Sequence, residues 1–253
     1  MKRKLSFIMC LLMIFSCIGG NYVNAMSNDE VWTVENVDGY EAVVNNLTGE
    51  KLLESWTYDD KGNKVKLDPY VYADQLNMAE EIKEEDLAIA NNTSIAPITS
   101  AETPKIRSSL CYYELITDYT NVTLGDATKV TPTAKGPCQI YYGESVSFSY
   151  SNSFSIGVNA DIIDAYEIST GFEWSYSCST GSEFGITYNI DSGKSGYVEF
   201  RPFYYHARGT LIYHGYVSQT NYHYTTNYGY GILRCPKMLA TGFCDGIYSL
   251  VQS

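Results

Sequence analysis

Beyond its first 25 residues the chain has no long hydrophobic run, so no later segment is long and apolar enough to cross a bilayer as a single helix. Histidine is scarce: only His206, His214 and His223 occur, with no H-E-x-x-H and no metal-ligand spacing. No C-x-x-C pair, G-x-S-x-G elbow or glycine-rich phosphate loop is present. Glu173 and Glu183 share a strand face but lie too far apart along it for a glycoside-hydrolase carboxylate pair. These absences leave no catalytic or cofactor-binding arrangement, and the chain reads as a non-enzyme without a cofactor. Positive charge is also sparse, with 17 Lys and Arg against 29 Asp and Glu. Phosphate recognition needs clustered cations, so nucleic acid is excluded as a partner.

What is present begins with an export signal. Lys2, Arg3 and Lys4 precede an apolar stretch from Leu5 to Ser16, and Val23-Asn24-Ala25 supplies a small-residue cleavage site. The expected location is therefore extracellular. Lipidation at Cys17 is disfavoured because bulky Phe15 fits that processing poorly. Downstream lie Cys111, Cys138, Cys178, Cys235 and Cys244, which in an exported chain read as disulfide candidates. Turn residues between them suggest local pairs, Cys111–Cys138 and Cys235–Cys244, leaving Cys178 as a buried thiol.

Four stretches follow from composition: the signal over 1–25, a small β region over 26–75, an acidic helix and linker over 76–105, and a β-rich unit over 106–253. Most of the acidic excess falls before residue 106. Leu76 to Ala90 has helical apolar spacing, and the dense charge from Glu80 to Asp86 reads as its solvated face. Asn91 to Pro104 is Thr/Ser/Ala-rich with two prolines and reads as a protease-accessible linker. Residues 26–105 are thus candidates for a displaceable regulatory segment.

The β-rich unit carries two long alternations. Val146, Phe148, Tyr150, Phe154, Ile156, Val158, Ala160 and Ile162 occupy even positions, broken only by Asn152, while Ser, Gly, Asn and Asp fill the odd ones. A second even set holds Ile168, Phe172, Trp174, Tyr176, Cys178, Phe184, Ile186, Tyr188 and Ile190. Period two places one set on each face of a strand. Equal parity requires an odd hairpin loop, and residues 161–167 would put Ala160 opposite Ile168. Such lengths suit either elongated sandwich strands with one face on a core or amphipathic arms destined for a barrel.

This Ser-rich alternation, a turn with apolar residues, a second Ser-rich alternation and then Ser192-Gly193-Lys194-Ser195-Gly196-Tyr197-Val198-Glu199-Phe200-Arg201-Pro202 resembles the aerolysin-like and epsilon-toxin-like β-pore-forming family over residues 108–253. The resemblance implies an amphipathic hairpin, Ser145–Ile190, that refolds in an oligomer into a transmembrane barrel. Its lipid-facing candidates are Phe148, Tyr150, Phe154, Ile156, Val158, Ile162, Ile163, Phe172, Trp174 and Tyr176, with Ile162 and Ile163 entering first.

A second feature is the tyrosine row Tyr222, Tyr224, Tyr228 and Tyr230. Such rings either pack on a neighbouring strand or stack on sugar faces. The combined expectation is an all-β, elongated antiparallel sandwich or stalk with long amphipathic strands and a small acidic N-terminal β/helix region. Its expected function is that of a secreted membrane-interacting pore former whose partners are a membrane or cell-surface glycan and further copies of itself on the membrane. The alternative is a non-lytic surface- or carbohydrate-binding β-sandwich.

Overall fold

The computed structural model describes residues 30–92, 111–141, 145–181 and 187–252. The export signal, Cys17, most of the linker, Phe184 and Ile186 lie outside these ranges. The described residues from Val31 onward form one compact unit. The fold is all-β, its strands largely antiparallel, with two helices among the described residues interrupting the strand order.

Strand β13 (Ser195–Val217) is the spine, and its 23 residues come from a run rich in aromatic and β-branched side chains. Extended, it reaches about 75 Å. Its first half pairs with β15 (Gly246–Gln252), from Gly196↔Gln252 to Pro202↔Gly246. Its second half lies between β5 (Tyr112–Leu124) and β14 (Tyr222–Pro236). Strand β15 continues to β3 (Lys51–Tyr58), then β2 (Tyr40–Asn45) and β1 (Trp32–Val37), so the N-terminal strands belong to the same sheet as the C-terminal ones. Short strands β4 (Lys64–Lys66), β6 (Thr128–Lys129), β7 (Ala134–Lys135) and β10 (Ser151–Asn152) attach to it. Two separate ladders join β8 (Cys138–Tyr141) to β12 (Thr187–Ile190) and β9 (Ser147–Ser149) to β11 (Ser177–Ser179).

Helix α1 (Pro69–Asn92) begins earlier than the apolar spacing predicts. Asp68 accounts for the start: its carboxylate accepts from Tyr70 N (2.9 Å) and Val71 N (3.2 Å), and Pro69 suits the first helical position. Tyr72, Ala73 and Leu76 then bury against Trp32, Val43, Leu52, Ile247 and Val251. The charged stretch is not wholly a solvated face. Asp86 is buried and meets Arg208 Nε at 2.7 Å, Arg234, and His206 Nε2 at 3.4 Å, while Glu85 meets Arg208 Nη1 at 2.6 Å. Burial opposes ionisation of Asp86, but His206 and the two guanidinium groups outweigh it and hold the carboxyl at about 2.

On the opposite side, two further cores form. One joins Trp56, Phe200 and Tyr248 to the β8–β12 and β9–β11 ladders. The other joins Leu115, Ala207, Leu211 and Leu233 to Phe154, Ile162 and Tyr166. The last three belong to the segment in which sequence pattern and fold diverge most.

Candidate functional site

Residues 145–181 do not form the long two-stranded hairpin expected from the alternation. They form a short clasp and a longer excursion. In the clasp, Ser147↔Ser179, Phe148↔Cys178 and Ser149↔Ser177 pair as β9 and β11. Tyr150 N donates to Tyr176 O (3.0 Å) at one end, and Thr180 N donates to Val146 O (2.8 Å) at the other. Ser145 Oγ donates to Thr180 O (2.9 Å) and Val146 N to Thr180 Oγ1 (2.9 Å), closing the base. Even residues do face even residues, but the register differs by two from the one that would set Ala160 opposite Ile168.

Those two residues instead share helix α2 (Ala160–Thr170), which replaces the expected loop. Asn159 Oδ1 accepts from Ile162 N (3.0 Å) at its start, and Gly171 ends it at φ 72° with its N–H bonded to Glu167 O (2.8 Å). An N-capping asparagine and a left-handed glycine are ordinary helix punctuation. Both stood in the sequence, masked by the stronger period-two signal. The helix buries Ile162, Ala165 and Tyr166 on β5 and β14, leaves Ile163 half-buried, and leaves Ile168 85% exposed.

The chain leading to α2 is extended. From Ser145 to Asn159 every odd side chain is exposed, and every even one is half-buried or buried. Ladders take up only part of that run: Ser147–Ser149, and Ser151–Asn152 against Arg234 and Leu233. Ser153 extends the second ladder, its N–H reaching Ile232 O (3.0 Å) and its Oγ accepting from Ile232 N (2.7 Å). Asn152, the one polar even residue, folds the chain locally by bonding Phe154 N (2.9 Å) and Ile156 O (2.7 Å). The Phe154 ring lies over Gly231, where a Cβ would fall 2.7 Å from it. On the return, Phe172 stacks on Tyr205 (4.5 Å between centroids), Trp174 meets Tyr166 edge-on (5.2 Å), and Tyr176 is exposed. The ten insertion candidates thus lie along one strap: Phe154 and Ile162 are buried, Tyr176 is exposed, and the others are half-buried.

The cysteine pairing differs from expectation. Cys178 is bonded to Cys244, 66 residues away in sequence, whereas Cys111, Cys138 and Cys235 are free thiols. Neither Cys111–Cys138 nor Cys235–Cys244 forms. The reason is tertiary: the clasp lays β11 beside the segment preceding β15, where Cys244 N donates to Ser179 O (3.0 Å). Cys235 instead buries its thiol 3.5 Å from Tyr166 Oη, and burial pushes its pKa up.

The tyrosine row is split. The β13–β14 ladder shifts register between Thr210↔Tyr230 and Ile212↔Asn227, with Gly229 at φ 88° in the shift. Tyr222 stacks on Tyr224 (6.4 Å), Tyr224 reaches Tyr213 (6.1 Å), and Tyr228 reaches Tyr113 (6.0 Å). Tyr230 pairs instead with Thr210 and donates to Asp118 (2.9 Å). Near the hairpin end, Tyr112, His214, Tyr222, His223 and Tyr224 line an open cleft of about 610 Å³. Within it Tyr112 stacks on His214 (4.5 Å), and His214 Nε2 lies 2.8 Å from Glu114. Sequence parity could not foresee the cleft, because Tyr112 comes from a distant strand.

No helix among the described residues is long and apolar enough to cross a membrane, which leaves crossing by strands untouched. Comparison with family models, with curated proteins and with solved structures returns no match to this chain.

Proposed function

We propose that this chain is a secreted, aerolysin-like β-pore-forming protein in its water-soluble form, with residues 145–181 as the membrane-inserting segment. One observation carries the reading: side chains from Ser145 to Asn159 alternate without a break between exposed and covered, although ladders occupy only part of the run. The sequence encodes a longer amphipathic strand than the soluble fold uses. Such a mismatch between local pattern and fold is expected where a segment serves two structures. The covered face holds the apolar residues a lipid-facing strand needs, and the exposed face holds serine, glycine and asparagine suited to a water-filled lumen.

The test is dye release from phosphatidylcholine–cholesterol vesicles by the purified protein and by a variant locking the strap to β14, Ser153→Cys with Ile232→Cys. Those positions continue the Asn152↔Leu233 register. Release by the parent, loss in the oxidised variant and recovery on reduction are expected. Equal release by the locked protein would remove the strap from the mechanism.

The cleft at the end of the β13–β14 hairpin favours a second reading, a carbohydrate-binding surface. Tyr112 and Tyr222 are exposed there, and no Lys or Arg is among the lining residues, so a neutral sugar face suits it. Glycan-array binding that disappears with Tyr222→Ala and Tyr224→Ala would support it.

A further inference from the structure

We infer that the channel formed by this segment is cation-selective, with Asp161, Glu167 and Glu173 lining its lumen. The inference rests on the pore-forming reading and adds what the clasp register determines. Phe148↔Cys178 and the Tyr150–Tyr176 bond place the hairpin axis at residue 163. If that ladder zips onward after release, Asn152 meets Trp174, Phe154 meets Phe172, Ile156 meets Thr170, and Val158 meets Ile168. Each arm beyond the clasp, 150–161 and 165–176, is then about 40 Å long, enough to cross a hydrocarbon core of about 30 Å when tilted.

The same register sorts the charges. Odd positions pair Ser151 with Ser175, Ser153 with Glu173, Ser155 with Gly171, Gly157 with Ser169, Asn159 with Glu167, and Asp161 with Ala165. All three carboxylates therefore share the small polar face that must turn to water, while the even face carries no charge until the turn at Asp164. Residues 145–181 contain no Lys, Arg or His, so nothing in the segment balances them. Repeated around an oligomer, they become stacked carboxylate rings, which favour cations. The placement also gives Ile168, exposed in the soluble fold, a lipid-facing position beside Val158. In the soluble form the three acids already sit on the outer surface, with Glu167 accepting from Trp174 N (2.9 Å).

The experiment is single-channel recording in phosphatidylcholine–cholesterol bilayers under a KCl gradient, on the parent protein, the Glu167→Gln/Glu173→Gln variant and Glu173→Lys. A several-fold preference for K⁺ over Cl⁻ is expected, reduced towards unity in the double variant and inverted by Glu173→Lys. Glu173 is exposed, so its substitution leaves the soluble fold intact, which circular dichroism would verify. Conductance that prefers anions, or that ignores all three substitutions, would overturn the lumen assignment while leaving the pore reading in place. Folded protein that yields no conductance would overturn the pore reading, and the selectivity with it.

Discussion

Asp86 joins α1 to the sheet through His206, Arg208 and Arg234. Its folded-state pKa of about 2 lies below the ordinary 3.8, so its stabilisation is complete above the unfolded value and is lost as pH falls towards 2. Asp86→Asn should therefore lower unfolding free energy by about 2–3 kcal/mol at neutral pH. Urea titrations should show the gap between variant and parent closing as pH drops from about 4 to about 2. His206 titrates in the same direction: burial depresses its proton affinity, so charging it as pH falls below its ordinary value of 6.5 costs stability. Gly231 makes a second residue-scale prediction. Alanine there meets the Phe154 ring and should weaken strap docking by about 1–3 kcal/mol. Limited proteolysis between residues 150 and 160 should accelerate while the melting of the main sheet barely moves.

At the scale of elements, the strap is held by three unlike devices: the β9–β11 clasp, the capped helix α2 and the Cys178–Cys244 bond. Gly171→Ala forces a side chain into a left-handed conformation and should cost about 1 kcal/mol, loosening α2 without touching the clasp. Hydrogen exchange confined to residues 160–171 would verify it. Removing the disulfide by Cys178→Ser with Cys244→Ser frees a long loop and should cost about 4 kcal/mol on loop-closure grounds. Thermal unfolding with and without a dithiol reductant measures that difference. The face that each even residue of 145–159 takes was legible in the sequence, because period two survives wherever the backbone is extended. The helix that interrupts the run was signalled only by Asn159 and Gly171, a signal of a few residues against one of many.

For the whole molecule, the decisive feature is that β3 pairs with β15 while α1 packs on the same sheet, so the acidic N-terminal strands and the C-terminal strands share one core. Cutting the chain between Asn92 and Cys111 should leave the two pieces associated on size exclusion. Separating them in denaturant should expose Tyr72, Leu76, Ile247 and Val251 together and prevent either piece from refolding alone.

Composition and periodicity by themselves determined the all-β class, the existence of a helix over residues 76–90 and the two-faced character of residues 145–159. Each of those follows from side-chain chemistry acting over a few neighbouring residues. Only the tertiary structure decided which cysteines meet, where the clasp register lies, that Tyr230 leaves its row and that Asp86 is a buried anchor. Those outcomes depend on strands distant in sequence being brought side by side, and a register shift of one or two residues along β13 changes every partner at once.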